Sequence, residues 1–276
     1  MKISKWNGLG NDFILVESQN CPDGDLGPLA RRICDRHFGV GADGLVRIRP
    51  LGGNKFEMRI FNSDGSECEM CGNATRCVAT YIRKRKLSSA RELVLQTLAG
   101  TIRPIPQDNG TVRVDMGEPR LLRGQIPVTG DPDSEANAIE IDACQRMFTG
   151  TAVSMGNPHV VIFVPDIKQI DLECWGSAIE NHPLFPQKVN VEFVEVLSSR
   201  LVRMRVWERG CGVTMACGTG SCATAVAGVI TGRTEQQITV LLDGGELQIE
   251  YASADNHVYM TGPATEVFDG VYLEGF

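Results

Sequence analysis

The sequence predicts an α/β chain of two pseudo-symmetric domains that arose by internal duplication, and three observations carry that expectation. First, Glu69-Met-Cys-Gly-Asn73 has a counterpart in Met215-Ala-Cys-Gly-Thr219, with Cys71 and Cys217 separated by 146 positions. Second, the same offset carries Gly10-Asn11 onto Gly156-Asn157, Met58-Arg59 onto Met204-Arg205, and Phe61 onto Trp207. Third, each Cys-Gly pair runs straight into a helical pattern. Ala74, Cys77, Val78, Tyr81 and Ile82 mark one helix face. Ser221 to Ile230 is apolar almost all round, as a buried helix is, and stops at Gly232. At 276 residues, each half is long enough to bury its own core.

In chain order, a loop is expected over Asn7–Asp12, then a buried strand from Phe13 to Glu17. Leu26 to His37 fits an amphipathic helix with Pro28 in its first turn. The glycine-rich Gly39–Gly44 leads into a strand over Leu45–Ile48, and Phe56 to Phe61 alternates as a half-buried strand. The first cysteine helix ends on Arg83-Lys-Arg-Lys86, a charge that suits its dipole. Strands are expected near 92–97, 101–105 and 111–116. The second half repeats the order: a loop then a strand over Val153–Val164, and a short helix over Ile170–Glu180. Strands follow over Val191–Leu197 and Leu201–Trp207, before the second cysteine helix. Asp243-Gly244 signals a type I′ turn in a hairpin from Gln237 to Tyr251. The Pro-, Gly- and Asp-rich stretch 119–150 holds the expected boundary, giving domains of 1–118 plus 263–276 and of 119–262.

A net charge of −7 argues against nucleic acid and anionic membrane. No apolar run approaches the roughly 20 residues of a membrane helix. Met1 to Gly8 lacks the apolar core of a secretory signal, so a cytoplasmic location is expected. In that compartment the ten cysteines point to thiol chemistry, metal binding or packing rather than disulfides.

Three readings of the cysteines fit poorly. Cys68-Glu-Met-Cys71 is a C-x-x-C, but the second cluster lacks a matching zinc pair. In a thioredoxin-like motif the first cysteine would start the helix, whereas here the second does. Gly218 to Ala223 scores as G-x-G-x-x-A, yet a ten-residue loop separates it from its strand. A lone buried cysteine is usually a small hydrophobe, which suffices for Cys77 and Cys222. Duplication at one spacing overturns that for Cys71 and Cys217. A helix N-terminus lowers a thiol's pKa and cradles a carboxylate. Two of them, flanking one carbon with thiolate and thiol, could remove a proton from one face and return it to the other.

The motifs Asn7-Gly-Leu-Gly-Asn-Asp-Phe13, Gly41-Ala-Asp-Gly44, Asn62 to Asn73, Met155-Gly-Asn-Pro-His159, Glu208-Arg-Gly210 and Ala216-Cys-Gly-Thr-Gly220 resemble those of diaminopimelate epimerase along the whole chain. The resemblance implies a cofactor-independent, metal-free, two-base epimerase of LL- and meso-diaminopimelate, serving lysine and peptidoglycan synthesis. It also implies two domains, each a strand-rich barrel around a central helix, with the active site between them, and a homodimer. Carried over, Cys71 and Cys217 are the acid–base pair, and Gly72, Asn73, Gly218 and Thr219 cradle the carboxylate. Asn11, Asn62, Asn157, Asn190 and Arg209 hold the substrate, with Arg209 on the distal carboxylate. His159 and Glu208 tune the thiols, and Glu208 also contacts substrate. The chain departs from the family at Gly44, where many members place a substrate-contacting Gln, and at Ala74, a Gly elsewhere, whose methyl is expected to crowd a ligand. A racemase of another amino acid, such as histidine, is the nearest alternative, and it has no use for the distal grip. A non-catalytic binding protein needs the helix ends but not two matched thiols.

Overall fold

The computed structural model describes residues 1–22 and 24–273; residues 274–276 of the expected first domain lie outside the described residues. The chain forms two compact units: Met1–Asp115 with the described residues from Thr261, and Met116–Met260.

The first unit contains β1 (Lys2–Gly8), β2 (Asn11–Glu17), α1 (Gly27–Ile33), β3 (Gly44–Gly52), β4 (Lys55–Asn62) and β5 (Glu67–Cys68). Then come α2 (Gly72–Lys84), β6 (Val94–Thr97), β7 (Gly100–Ile102), β8 (Ile105–Pro106) and β9 (Thr111–Asp115). The second unit supplies β10 (Ile139–Ala143), β11 (Arg146–Ser154), β12 (Pro158–Phe163), α3 (Leu172–Glu180), β13 (Asn190–Ser198) and β14 (Leu201–Glu208). It continues with β15 (Gly212–Thr214), α4 (Gly218–Ile230), β16 (Gln237–Leu242), β17 (Gly245–Tyr251) and β18 (Val258–Pro263). The chain then returns as β19 (Thr265–Val271), which pairs antiparallel with β1, Lys2 opposite Val271.

In the first unit the sheet runs β19-β1-β2-β3-β4-β6-β7. Phe13 to Val16 are buried on both faces, which explains the unbroken apolar run at the sheet's middle. Helix α2 packs against β1, β2, β8, β9 and β19. Its apolar face, Ala74, Cys77, Val78, Tyr81 and Ile82, is buried as its spacing requires. Its basic end pairs with the returning strand, Lys84 and Arg85 to Glu266 and Arg85 to Asp269. In the second unit the order is β10-β11-β12-β13-β14-β16-β17-β18. There α4 packs against β11, β12, β13, β16 and β17, with Gly220 to Gly228 entirely buried.

The duplication holds at the level of strand register. Phe13 pairs with Gly44 in the first unit, and His159 with Asn190 in the second. Leu45–Phe61 recurs as Val191–Trp207, and Ile60–Cys68 as Val206–Thr214. Helices α2 and α4 are both 13 residues long and start one residue after their cysteines.

Three local expectations are corrected, and one unassigned stretch gains strands. The loop over Asn7–Asp12 is a tight hairpin, with β1 before it and only Leu9 and Gly10 in the turn, at φ +61° and +88°. Helix α1 stops at Ile33, because the Asp35 carboxylate takes the amides of His37 and Phe38 at 2.7 and 2.8 Å and bends the chain away. The stretch 119–150 contains β10 and the start of β11. At the β16–β17 turn neither Asp243 nor Gly244 takes positive φ; Gly245 does, at +136°, so the turn is not type I′.

Candidate active site

Each unit builds its thiol site from the same parts, with different neighbours. In the first unit Cys71 is the extended N-cap of α2 (φ −142°, ψ 119°), partly exposed. The side-chain oxygen Oδ1 of Asn11, at the start of β2, lies 3.7 Å from its Sγ. Asn73 donates to that oxygen at 3.1 Å, and the fully buried Arg76 donates to Asn73 at 2.8 Å. The bare backbone of Gly8 makes room, since a Cβ there would meet Arg76 Nη2 at 3.1 Å and Asn73 at 3.2 Å. Asn62 ends β4 opposite Gly44 and donates to Ser66 Oγ at 3.0 Å. A side chain at 44 would begin 2.9 Å from the Phe61 carbonyl, which gives the Gly44 departure a steric reason. Ala74 is fully buried, so its methyl packs into the core rather than crowding a ligand.

In the second unit Cys217 caps α4, 5% exposed, and its Sγ accepts from the Gly220 amide at 3.3 Å. Thr219 Oγ1 lies 3.5 Å from the thiol and accepts from Asn157 Nδ2 at 3.4 Å. Asn157 Oδ1 contacts His159 Nε2 at 3.0 Å, and His159 Nδ1 contacts Glu192 Oε1 at 2.7 Å. With Asn157 Nδ2 turned to Thr219, both imidazole nitrogens face oxygen acceptors. Glu208 Oε1 accepts from Thr214 at 2.5 Å. Asn190 donates to the Pro158 carbonyl at 2.8 Å and accepts the Arg209 amide at 2.9 Å. The exposed Arg209 donates to the Gln187 carbonyl at 3.1 Å. The Gly210 amide next to it is tied to Glu180 of α3 at 3.0 Å.

Equivalent positions expose the asymmetry. His159, Glu192 and Glu208 stand where the first unit has Phe13, Val46 and Asn62, one offset of 146 earlier. Glu192 is the residue that sequence reasoning passed over. It sits at a fully buried position of β13, and its Oε2 has no hydrogen-bond partner among the described residues. A buried carboxylate in such a place is costly and marks a site. Its signal was present: a glutamate between Val191 and Phe193 at the position matching Val46. It also dictates Gly220, where a Cβ would lie 2.5 Å from Glu192 Oε1, whereas the equivalent first-unit positions hold Ala74 and Val46.

The expected lowering of the thiols by the helix ends is reversed. Burial pushes Cys71 up to about 11, and the amides of Ala74 and Asn73 only partly offset it. Burial pushes Cys217 well above the usual thiol range, and the charges of Glu208 and Glu192 push the same way. Burial also raises Glu208, against the Thr214 hydrogen bond. Desolvation of a small anion outweighs two or three amide dipoles. His159, Glu192 and Cys217 place one ligand atom each within 4.8 Å of one another. A soft cation there would take the Cys217 sulfur out of acid–base service.

The sequence profile described as Diaminopimelate epimerase matches residues 3–122 and 151–267. A diaminopimelate epimerase of Desulforudis audaxviator is 54% identical over 278 residues, covering 99% of both chains. One of Moorella thermoacetica is 52% identical over 278 residues, covering 98% of both. A solved PhzF-family phenazine biosynthesis protein of Bacillus anthracis has the same fold, with TM-score 0.70 at 14% identity, over 98% of this chain and 99% of that one. With two matched thiols at two helix ends, and relatives alike from end to end, the chain belongs to the diaminopimelate epimerase family.

Proposed function

We propose that the chain interconverts LL- and meso-2,6-diaminopimelate by a cofactor-independent reaction in which Cys71 and Cys217 serve opposite faces of one α-carbon. The observation that carries the reading is the pair of cysteines, each N-capping the buried helix of its own unit at one sequence offset. The amides of Gly72-Asn73 and Gly218-Thr219 receive the α-carboxylate. One thiol, as thiolate, removes the α-proton while negative charge develops against the two helix ends. The other thiol returns a proton from the far side, and the centre inverts. Raised thiols suit this reaction, since a base of higher pKa is stronger and its partner remains a proton donor at neutral pH. His159, Glu192 and Glu208 set the protonation of Cys217, and Arg209 takes the distal carboxylate as a planar fork.

The distal grip favours this substrate over an amino acid with a single head, such as histidine. The exposed Val267, Phe268 and Val271 on the edge strand β19 support a homodimer. No helix of the described residues is long and apolar enough to cross a membrane. A cytoplasmic enzyme feeding lysine and peptidoglycan synthesis follows from the substrate.

The test is incubation with LL-diaminopimelate in D₂O, with EDTA present and no pyridoxal phosphate. The expected result is meso product carrying deuterium at the inverted carbon, formed before deuterium enters remaining substrate. A requirement for metal or pyridoxal phosphate, or turnover of histidine in preference, would remove the reading.

A further inference from the structure

Cys144 and Cys174 play no part in the chemistry above, yet their sulfurs lie 2.9 Å apart. That is inside ordinary sulfur–sulfur contact and about 0.9 Å beyond a disulfide bond. Both residues are exposed. Cys144 and Gln145 form the two-residue turn between β10 and β11, at φ +49° and +63°. Such a turn normally takes Asn-Gly, because both central residues need positive φ. A non-glycine pair held there is strained backbone, and it sets the Cys144 side chain over the first turn of α3. There Cys174 follows the N-cap Asp171, whose carboxylate accepts the Cys174 amide at 3.1 Å. Cys144 also reaches the Cys174 carbonyl at 3.6 Å.

We propose that Cys144 and Cys174 are a surface dithiol that low-molecular-weight disulfides oxidise to an intramolecular disulfide, a modification site separate from the Cys71 and Cys217 thiols and independent of the epimerase reading. The Cys144 thiolate attacks one sulfur of the small disulfide, forming a mixed disulfide and releasing one small thiolate. The Cys174 thiolate then attacks the Cys144 sulfur, the mixed bond breaks, and the second small thiolate leaves. Two protein thiols are oxidised, one small disulfide is reduced to two thiols, and the protons from Cys144 and Cys174 balance the released thiolates. The order follows from the geometry. Cys174 donates its proton to Cys144, and that hydrogen bond, with the Asp171 charge behind it, pushes the Cys174 thiol up to about 11. As the acceptor of that hydrogen bond, Cys144 is the first nucleophile and Cys174 the resolving thiol.

The cross-link would span 30 positions and enclose β11, β12 and the turn between them, which carry Asn157 and His159 to the second thiol site. Closing that loop restricts the unfolded chain. Oxidation is thus a clamp on the segment that supports the site.

The test is treatment of the full-length protein with glutathione disulfide, then alkylation, trypsin digestion and mass spectrometry. Tryptic peptides 124–146 and 169–188 each contain one cysteine, Cys144 and Cys174, so the cross-link has one reading. The expected result is a linked 124–146/169–188 pair and a thermal midpoint raised by roughly 5–10 °C, reversed by reductant. C174S should show glutathione trapped on Cys144 and no rise in midpoint. Both cysteines remaining alkylatable in the treated protein, or an equal rise in C174S, would overturn the proposal.

Discussion

Glu192→Gln separates the roles of the buried carboxylate, because it should make Cys217 more reactive and the enzyme slower. A Glu192 carboxylate oxygen and Cys217 Sγ lie within 4.8 Å of each other. Two unit charges at that distance repel by about 3 kcal/mol at an effective dielectric near 20. Relaxation of the surrounding dipoles cancels part of this. About 1.4 kcal/mol of relief is a ten-fold rise in thiolate at a fixed pH below the thiol's pKa. Iodoacetamide labelling followed peptide by peptide at pH 8 should therefore show Cys217 reacting roughly ten-fold faster, with Cys71 unchanged. Turnover should move the other way. The 2.7 Å contact is a charge-assisted hydrogen bond worth about 1.5–3 kcal/mol, and its loss frees His159 from a fixed orientation. The expected fall in kcat/KM is ten- to hundred-fold, with the Cys217 labelling profile shifted to lower pH. Labelling of Cys217 that is unchanged or slower would refute the assignment of Glu192 to this thiol.

Three further outcomes follow from single features. Burial raises Cys71 to about 11 and Cys34 and Cys77 to about 12, from 9.0. Groups raised on folding stabilise fully below their unfolded pKa and lose that contribution as pH climbs through the folded values. The urea midpoint under reducing conditions should fall between pH 9 and 11, less steeply in Cys77→Ala; a flat midpoint contradicts the burial argument. Gly176→Ala places a Cβ 2.5 Å from that of Trp207, and should cost about 1–3 kcal/mol, read as a thermal midpoint lower by several degrees; an unchanged midpoint rejects close packing there. Arg209→Lys keeps the charge but loses the planar fork, so KM for diaminopimelate should rise at least about ten-fold with kcat less affected; an unchanged KM removes Arg209 from the distal grip.

Much of the fold was legible because its strongest signals are local. The faces of α2 and α4 are written at helical spacing, and their caps at Cys71 and Cys217 are repeated, so one offset located both. The elements that escaped are those where tertiary packing or a side chain decides. Strand β1 was hidden because its alternation is broken by Lys5 and ends in a glycine-rich turn that resembles a loop. Strand β10 lies in a stretch rich in turn residues, although Ile139, Ile141 and Ala143 alternate inward as a strand's should. Helix α1 ends early because the Asp35 carboxylate competes for amides, which periodicity cannot register. In the candidate site, residue types were legible but environments were not. Asn190, for example, also braces Pro158 and Arg209, which its residue type alone does not announce. The direction of the thiol shifts depended on burial, which outweighed the helix ends. Glu192 was within reach, had the offset of 146 been applied to every position rather than to the shared ones.

The claim that two opposed thiols act on one carbon is tested most directly by Cys71→Ser and Cys217→Ser with β-halogenated analogues of both substrate stereoisomers. Loss of hydrogen halide from these analogues needs a base on one face and no returning acid, so each variant keeps half of the chemistry. The account predicts that neither variant epimerises appreciably, since an alcohol is a far weaker acid than a thiol. It predicts that each eliminates halide from only the isomer whose α-hydrogen faces its remaining cysteine, with opposite preferences. Equal elimination from both isomers by both variants would contradict it and leave a single base to do all the work.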